Sequence, residues 1–251
     1  VACGDRHTAV VLDDGSLYTF GNGGYGQLGH GDTANQTSPK RVDAEAWGGA
    51  RVVSVACGFR HTAVVLDDGS VYTFGDGDDG QLGHGDTANQ TSPKRVDAEA
   101  WGGARVVSVA CGGGHTAVVL DDGSLYTFGD GGFGRLGHGD AAHQTSPKRV
   151  DAEAWGGARV VSVACGGGHT AVVLDDGSLY TFGYGNDGRL GHGDTANQTS
   201  PKRVDAEAWG GARVVSVACG SLHTAVVLDD GSLYTFGNGG WGRLGHGDTA
   251  N

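Results

Sequence analysis

Val-Ala-Cys-Gly-Phe-Arg-His-Thr-Ala-Val-Val-Leu-Asp-Asp-Gly-Ser-Val-Tyr-Thr-Phe-Gly, residues 55–75, is the stretch that decides how this chain folds. Together with Val52, Val53 and Ser54 it opens on a short run of branched residues that reads as an inner strand and ends at Gly58. His61 to Leu66 forms a second strand. Asp67-Asp68-Gly69-Ser70 follows, and its Asp-Gly pair is a strong signal for a tight hairpin. Val71 to Phe74 returns as a third strand into a glycine cluster between Gly75 and Gly85. Ser92 to Val96 supplies a fourth, and Pro93 suits an outer edge where one side lacks a ladder partner. Asp97 to Trp101 favours helix but is too short to hold one alone.

The same unit recurs with Cys3, Cys57, Cys111, Cys165 and Cys219 spaced 54 residues apart, giving repeats 1–54, 55–108, 109–162, 163–216 and a shortened 217–251. A period of this size marks a stacked or ring-shaped array. Four short antiparallel strands per unit make a propeller blade, so the expectation is one all-β propeller domain over residues 1–251. Val1 corresponds to Val55 and Asn251 to Asn35, both in mid-repeat, and the chain has no methionine. It reads as a slice of a longer repetitive protein.

The pattern CGxxHTAVVLDDGSLYTFG followed by GQLGHGD, seen at residues 3–21 and 26–32 and echoed in every copy, resembles the repeats of the regulator of chromosome condensation family. The resemblance covers the whole chain. It implies a propeller, typically of seven blades, in a family that includes exchange factors for small GTPases, plant ultraviolet photoreceptors and bacterial inhibitors of beta-lactamase. Five copies depart from seven, so an incomplete ring is expected in preference to a closed ring of five. An open ring would leave unpaired blade faces and invite self-association.

Net charge is −12, with no basic stripe to offset it, which argues against nucleic acid as a direct partner. No apolar run approaches the ~18 residues of a membrane span. Five cysteines without a CxxC pair read as small buried residues, and this usage points toward a reducing, cytoplasmic compartment.

Differences between the copies carry the functional signal. Of 54 slots, 45 are invariant, and six of the nine that vary fall in two short windows. The first, slots 5–6, reads Asp5-Arg6, Phe59-Arg60, Gly113-Gly114, Gly167-Gly168 and Ser221-Leu222. The second, slots 22–27, varies at Asn22, Gly24, Tyr25 and Gln27, then Asp76, Asp78, Asp79 and Gln81, then Asp130, Gly132, Phe133 and Arg135. The last two copies carry Tyr184, Asn186, Asp187 and Arg189, and Asn238, Gly240, Trp241 and Arg243. In a four-strand meander the loops after the first and third strands leave the same end of the blade. Both windows are thus expected on one face of the ring, whereas the equally exposed Asp-Asp-Gly hairpins opposite are invariant. Relaxed drift of exposed loops predicts change on both faces; diversification of one face predicts this pattern.

The substituted types fit a binding surface. Tyr25, Phe59, Phe133, Tyr184 and Trp241 are aromatic, and Arg6, Arg60, Arg135, Arg189 and Arg243 add guanidinium groups, the kinds enriched at interface hot spots. Asp5, Asp78, Asp79, Asp187 and Leu222 complete the candidate set. Other chemistry finds less support. Gly21-Asn22-Gly23-Gly24-Tyr25-Gly26 matches GxGxxG but no helix follows to receive a phosphate. Cys3 and His7 offer two ligands per blade where structural zinc needs four, and Asp76 to Gly80 lacks the later Glu of a calcium loop. The repeated His7 and His30 read as structural, tying down neighbouring loop backbone. The repeated Ser16, His7 and Asp13 suit a scaffold better than a single catalytic centre, so no enzyme, cofactor or metal is expected. Trp47, Trp101, Trp155 and Trp209 are expected at seams between blades, with each indole N–H paired. Only Trp241 lies in a variable slot, so light sensing through clustered Trp is not supported.

The expectation is a non-enzymatic scaffold recognising a protein or peptide through variable loops. The alternatives are an exchange factor for a small GTPase, whose asymmetric wedge no 54-residue unit supplies, and a purely structural repeat without ligand.

Overall fold

The computed structural model describes residues 1–251, all β apart from short 3-10 turns. The first blade is β1 (Ala2–Cys3), β2 (His7–Val11), β3 (Leu17–Gly21) and β4 (Gln36–Arg41). The second is β5 (Val52–Cys57), β6 (His61–Leu66), β7 (Val71–Gly75) and β8 (Gln90–Arg95). The third holds β9 (Val106–Cys111), β10 (His115–Leu120), β11 (Leu125–Gly129) and β12 (Gln144–Arg149). The fourth has β13 (Val160–Cys165), β14 (His169–Leu174), β15 (Leu179–Gly183) and β16 (Gln198–Arg203). The fifth has three strands, β17 (Val214–Cys219), β18 (His223–Leu228) and β19 (Leu233–Gly237). Every sheet is an antiparallel meander in chain order.

Local chemistry explains these elements. At the hairpin, Asp68 accepts from the Ser70 N–H at 2.8 Å and Gly69 takes φ +83°, which a β-branched residue could not hold. This turn sets β6 against β7 with Val65 opposite Val71. After β8 the Asp97 carboxylate caps a 3-10 turn over Ala98–Trp101, accepting from the Glu99 N–H at 3.0 Å, and Gly102 ends it in the left-handed region.

The middle strands are apolar on both faces because each blade is sandwiched. Ala63, Val65 and Val71 of the second blade pack forward on Val106, Val118, Leu120 and Phe128. From the opposite face of the same strands, Val64, Leu66 and Phe74 pack back on Ala9 and Leu17. Each linker tryptophan is buried in the seam, edge-on to the next blade's tyrosine, as Trp47 is to Tyr72 at 6.0 Å. One expectation fails here: none of the four linker indole N–H groups is hydrogen-bonded, and that of Trp209 is buried as well.

The end blades leave one face each uncovered. Leu233 is 66% exposed where its equivalents Leu125 and Leu179 are 1%, and Leu12 is 45% exposed where Leu66 and Leu120 are 2%. The five blades therefore form an open arc of a propeller. No helix is long and apolar enough to cross a membrane.

Candidate functional site

The two variable windows meet on one face. In every blade the N–H of slot 22 donates to the carbonyl of slot 6: Asn22 to Arg6, Asp76 to Arg60, Asp130 to Gly114, Tyr184 to Gly168 and Asn238 to Leu222, at 2.8–3.0 Å. Neighbouring blades join the same surface, since the Phe59 N–H donates to the Gly112 carbonyl at 3.2 Å and Gly113 to Gly166 at 3.1 Å. The invariant Asp-Asp-Gly hairpins lie elsewhere, held by the inter-blade linkers: the guanidinium of Arg105 donates to the Asp67 carbonyl, and the Asp67 N–H to the Arg51 carbonyl.

Side chains from adjacent blades interlock across this face. The Arg60 guanidinium lies 4.6 Å from the Tyr25 ring centroid. Phe133 and Tyr184 stack with centroids 4.3 Å apart, and Arg189 covers the Tyr184 ring at 4.7 Å. Phe59 and Phe133 are about half exposed, at 40% and 47%, and Trp241 stands 95% exposed beside Arg243. Asp5 and Arg6 form an exposed ion pair at 3.2 Å. Asp78 is exposed and Asp79 half-buried; burial first, then the neighbouring Asp130 carboxylate, raises the Asp79 carboxyl above its usual range. Leu222 is half-buried, and Asp187 pairs with Arg189 at 2.9 Å.

Two of the expected partner-facing guanidiniums point inward. Arg135 and Arg189 are only 8% and 2% exposed. Arg135 Nη1 donates to the Gly167 carbonyl at 3.3 Å and pairs with Asp130 at 2.7 Å. Arg189 Nη1 makes the equivalent bond to the Ser221 carbonyl at 3.3 Å. These groups are engaged by the chain itself and belong to the frame beneath the face. Repeat alignment shows which slots vary, not which way they point. The available clue was that slot 27 holds only Gln or Arg, whereas slot 25 holds Tyr, Asp, Phe and Trp.

The slot-25 backbone is unusual. Phe133, Asp187 and Trp241 have φ of +61°, +61° and +64°, the only non-glycine residues at positive φ. A bulky L-residue there carries a penalty of roughly 1–2 kcal/mol, which the surrounding bonds must offset.

Beneath the face runs a relay of buried polar groups that joins the blades. His61 Nε2 lies 2.9 Å from Thr116 Oγ1, and that hydroxyl donates to the Gln81 carbonyl at 2.8 Å. With its one proton so used, Thr116 Oγ1 must accept from His61 Nε2–H, which leaves Nδ1 bare. His7–Thr62, His115–Thr170 and His169–Thr224 repeat the arrangement, and each Nδ1 is buried without a partner. The expectation was a bond to neighbouring loop backbone; the histidine instead reaches the next blade's threonine, and the threonine reaches the loop. Burial drives these imidazoles down, His7 to about 4 and both His61 and His169 to about 3, so they are neutral at physiological pH.

Nearer the axis, Cys3, Cys57, Cys111, Cys165 and Cys219 line a central cavity of about 220 Å³ with Gly4, Gly58 and Phe59. All five thiols are free; contrary to the expectation of buried residues, Cys3 is exposed and the other four are half-buried, and burial pushes Cys57 and Cys219 up to about 12, so those two stay protonated. No three His, Cys, Asp or Glu side chains converge as metal ligands. The face presents ring faces, guanidinium groups and carboxylates.

Comparison with known proteins places this geometry. The RCC1-like domain profile matches residues 1–251. The chain belongs to the RCC1-like domain family. Human E3 ubiquitin-protein ligase HERC2 is 38% identical over 246 residues, which is 97% of this RCC1-like chain and 5% of HERC2. The ultraviolet-B receptor UVR8 of Arabidopsis thaliana is 37% identical over 249 residues, covering 99% of the chain and 55% of UVR8. Among solved structures, human WBSCR16 superposes with a TM-score of 0.87 at 28% identity, over 99% of this chain and 64% of that one. Yeast RCC1 (Prp20), solved with Kap60, shares the fold at a TM-score of 0.63 and 20% identity, covering 72% of its chain. The RCC1-like chain spans about half of UVR8 and a small fraction of HERC2, so the ligase and receptor activities in those names describe longer molecules.

Proposed function

We propose that this RCC1-like domain is a non-enzymatic recognition platform that binds a protein or peptide on the face carrying slots 5–6 and 22–27. The observation that carries the reading is the concentration of change: six of nine varying slots lie on a face whose backbone frame is otherwise constant. Phe59, Phe133 and Trp241 are the exposed rings that a partner would cover. Tyr25 and Tyr184 support them, each already stacked against a neighbour from the adjoining blade. Arg6 and Arg60 are exposed for carbonyls or carboxylates and Asp5 and Asp78 for basic groups, while the half-buried Asp79 and Asp187 border the same surface. Arg135 and Arg189 hold the loops. Little ordering cost remains on binding, because the loops are pinned in every blade.

The test is selection of a random peptide library on the chain, followed by binding to a Phe59→Ala/Phe133→Ala/Trp241→Ala variant. Each lost ring costs roughly 30-fold in affinity while the melting temperature holds. Equal binding to the variant, or loss caused instead by Asp68→Asn on the opposite hairpins, sinks the reading.

A further inference from the structure

Slot 27 is Gln in the first two blades, Gln27 and Gln81, and Arg in the last three, Arg135, Arg189 and Arg243. The two side chains meet opposite ends of the same peptide. Gln27 Oε1 accepts from the Tyr25 N–H at 2.9 Å, and Gln81 Oε1 from the Asp79 N–H at 2.9 Å. Where slot 27 is Arg, its Nε donates to the slot-24 carbonyl: Arg135 to Gly132 at 3.0 Å, Arg189 to Asn186 at 2.9 Å, Arg243 to Gly240 at 2.8 Å. The peptide linking slots 24 and 25 thus turns its N–H toward slot 27 in one set and its C=O in the other.

The closing bond of the turn is unchanged, while in two Arg blades the slot-27 backbone N–H also reaches the slot-24 carbonyl, Arg135 to Gly132 and Arg189 to Asn186, at 3.4 Å. All five copies close the turn with the slot-26 N–H donating to the slot-23 carbonyl, at 2.7–3.1 Å. Reversal of a central peptide inside a closed turn is the relation between type I and type II turns, and the second form puts positive φ on the third residue. That is where positive φ occurs: Phe133, Asp187 and Trp241, all in Arg blades, and neither Tyr25 nor Asp79 in Gln blades. Arginine has no acceptor atom, whereas the glutamine amide oxygen is a strong one. The Gln27 amide nitrogen is already engaged by Asn22 Oδ1 at 2.9 Å, which leaves its oxygen to face the peptide. Gln27, Gln81, Arg135 and Arg189 are buried, so the peptide rather than water is their partner.

We infer that slot 27 is a positioning residue: Gln or Arg at this site selects which of two loop conformers presents the slot-25 side chain to a partner. Specificity on this face is then set at two levels, by the ring at slot 25 and by the pose that the residue two positions on imposes. In the Gln conformer Tyr25 lies half-buried under Arg60; in the Arg conformer Phe133 and Trp241 are exposed, while Asp187 is half-buried against Arg189. The backbone part stands on the geometry alone, and its bearing on specificity rests on the recognition function proposed above.

Reciprocal swaps in the full chain test it, Arg243→Gln in the last blade and Gln27→Arg in the first. Crystal structures and backbone chemical shifts of the two variants are expected to show negative φ at Trp241 and positive φ at Tyr25. An energetic readout accompanies them. Trp241→Gly should exceed Trp241→Ala in folding equilibrium constant by about 2- to 5-fold, and that advantage should vanish once Arg243→Gln is added. Unchanged φ in both swaps overturns the inference. A peptide selected against the parent chain separates the two claims. Altered affinity for Arg243→Gln supports the specificity role, whereas a flipped loop with unaltered affinity removes slot 25 from recognition and leaves the backbone selection standing.

Discussion

Thr170 sits fully buried between two blades, taking the His115 Nε2–H and giving its own proton to the Arg135 carbonyl. Thr170→Val keeps the shape and strands both partners, so a loss of roughly 2–4 kcal/mol is expected from urea unfolding. Thr170→Ser should restore most of it. A loss of similar size in both variants would point to packing instead. At this scale the sequence was only partly legible. His7 and its repeats announced a structural role, but the partner is the next blade's threonine, 55 residues on, and no local pattern states that distance. Arg135 and Arg189 resembled hot-spot residues by type; their direction depends on the neighbouring blade's Gly167 and Ser221 carbonyls, which only the packed structure supplies.

At the scale of elements, blades hold together through seams of branched and aromatic side chains. Phe128 is fully buried in the seam between second and third blades, and Phe128→Ala should destabilise by about 3–5 kcal/mol. Truncation of its equivalent Phe20, on the uncovered face of the first blade, should cost well under half as much in the same assay. Comparable costs would contradict the seam model of stability. Strands and hairpins are readable because short runs of branched residues, Asp-Gly turns and the outer Pro93 all agree on one meander. For the loop of slots 22–27 the sequence offers composition but no conformation. Its two conformers depend on a donor–acceptor choice two residues away, which hydrophobic periodicity does not encode.

For the whole molecule, buried histidines make stability depend on pH: the four inter-blade ones, and with them His84 and His138, which burial also drives down to about 4. His7, His61, His115 and His169 are depressed chiefly by burial, so the unfolded chain binds protons that the folded chain excludes. Stability is greatest above the unfolded value of 6.5 and falls as pH drops through the window from there toward 3–4. Each histidine contributes up to about 1.4 kcal/mol per pH unit within that window. The urea midpoint should therefore fall steeply between pH 7 and pH 5, and a flat profile would refute the relay. The repeat period made the propeller legible from sequence. The open arc shows itself in the uncovered Leu12 and Leu233, whose neighbours no single repeat could specify. Recognition on one face is the central claim, and amide hydrogen exchange of the chain with a library-selected peptide tests it most directly. Protection gathered on slots 5–6 and 22–27 of several blades is the predicted result. Protection on the Asp-Asp-Gly hairpins, or a library that yields no binder at all, would contradict it.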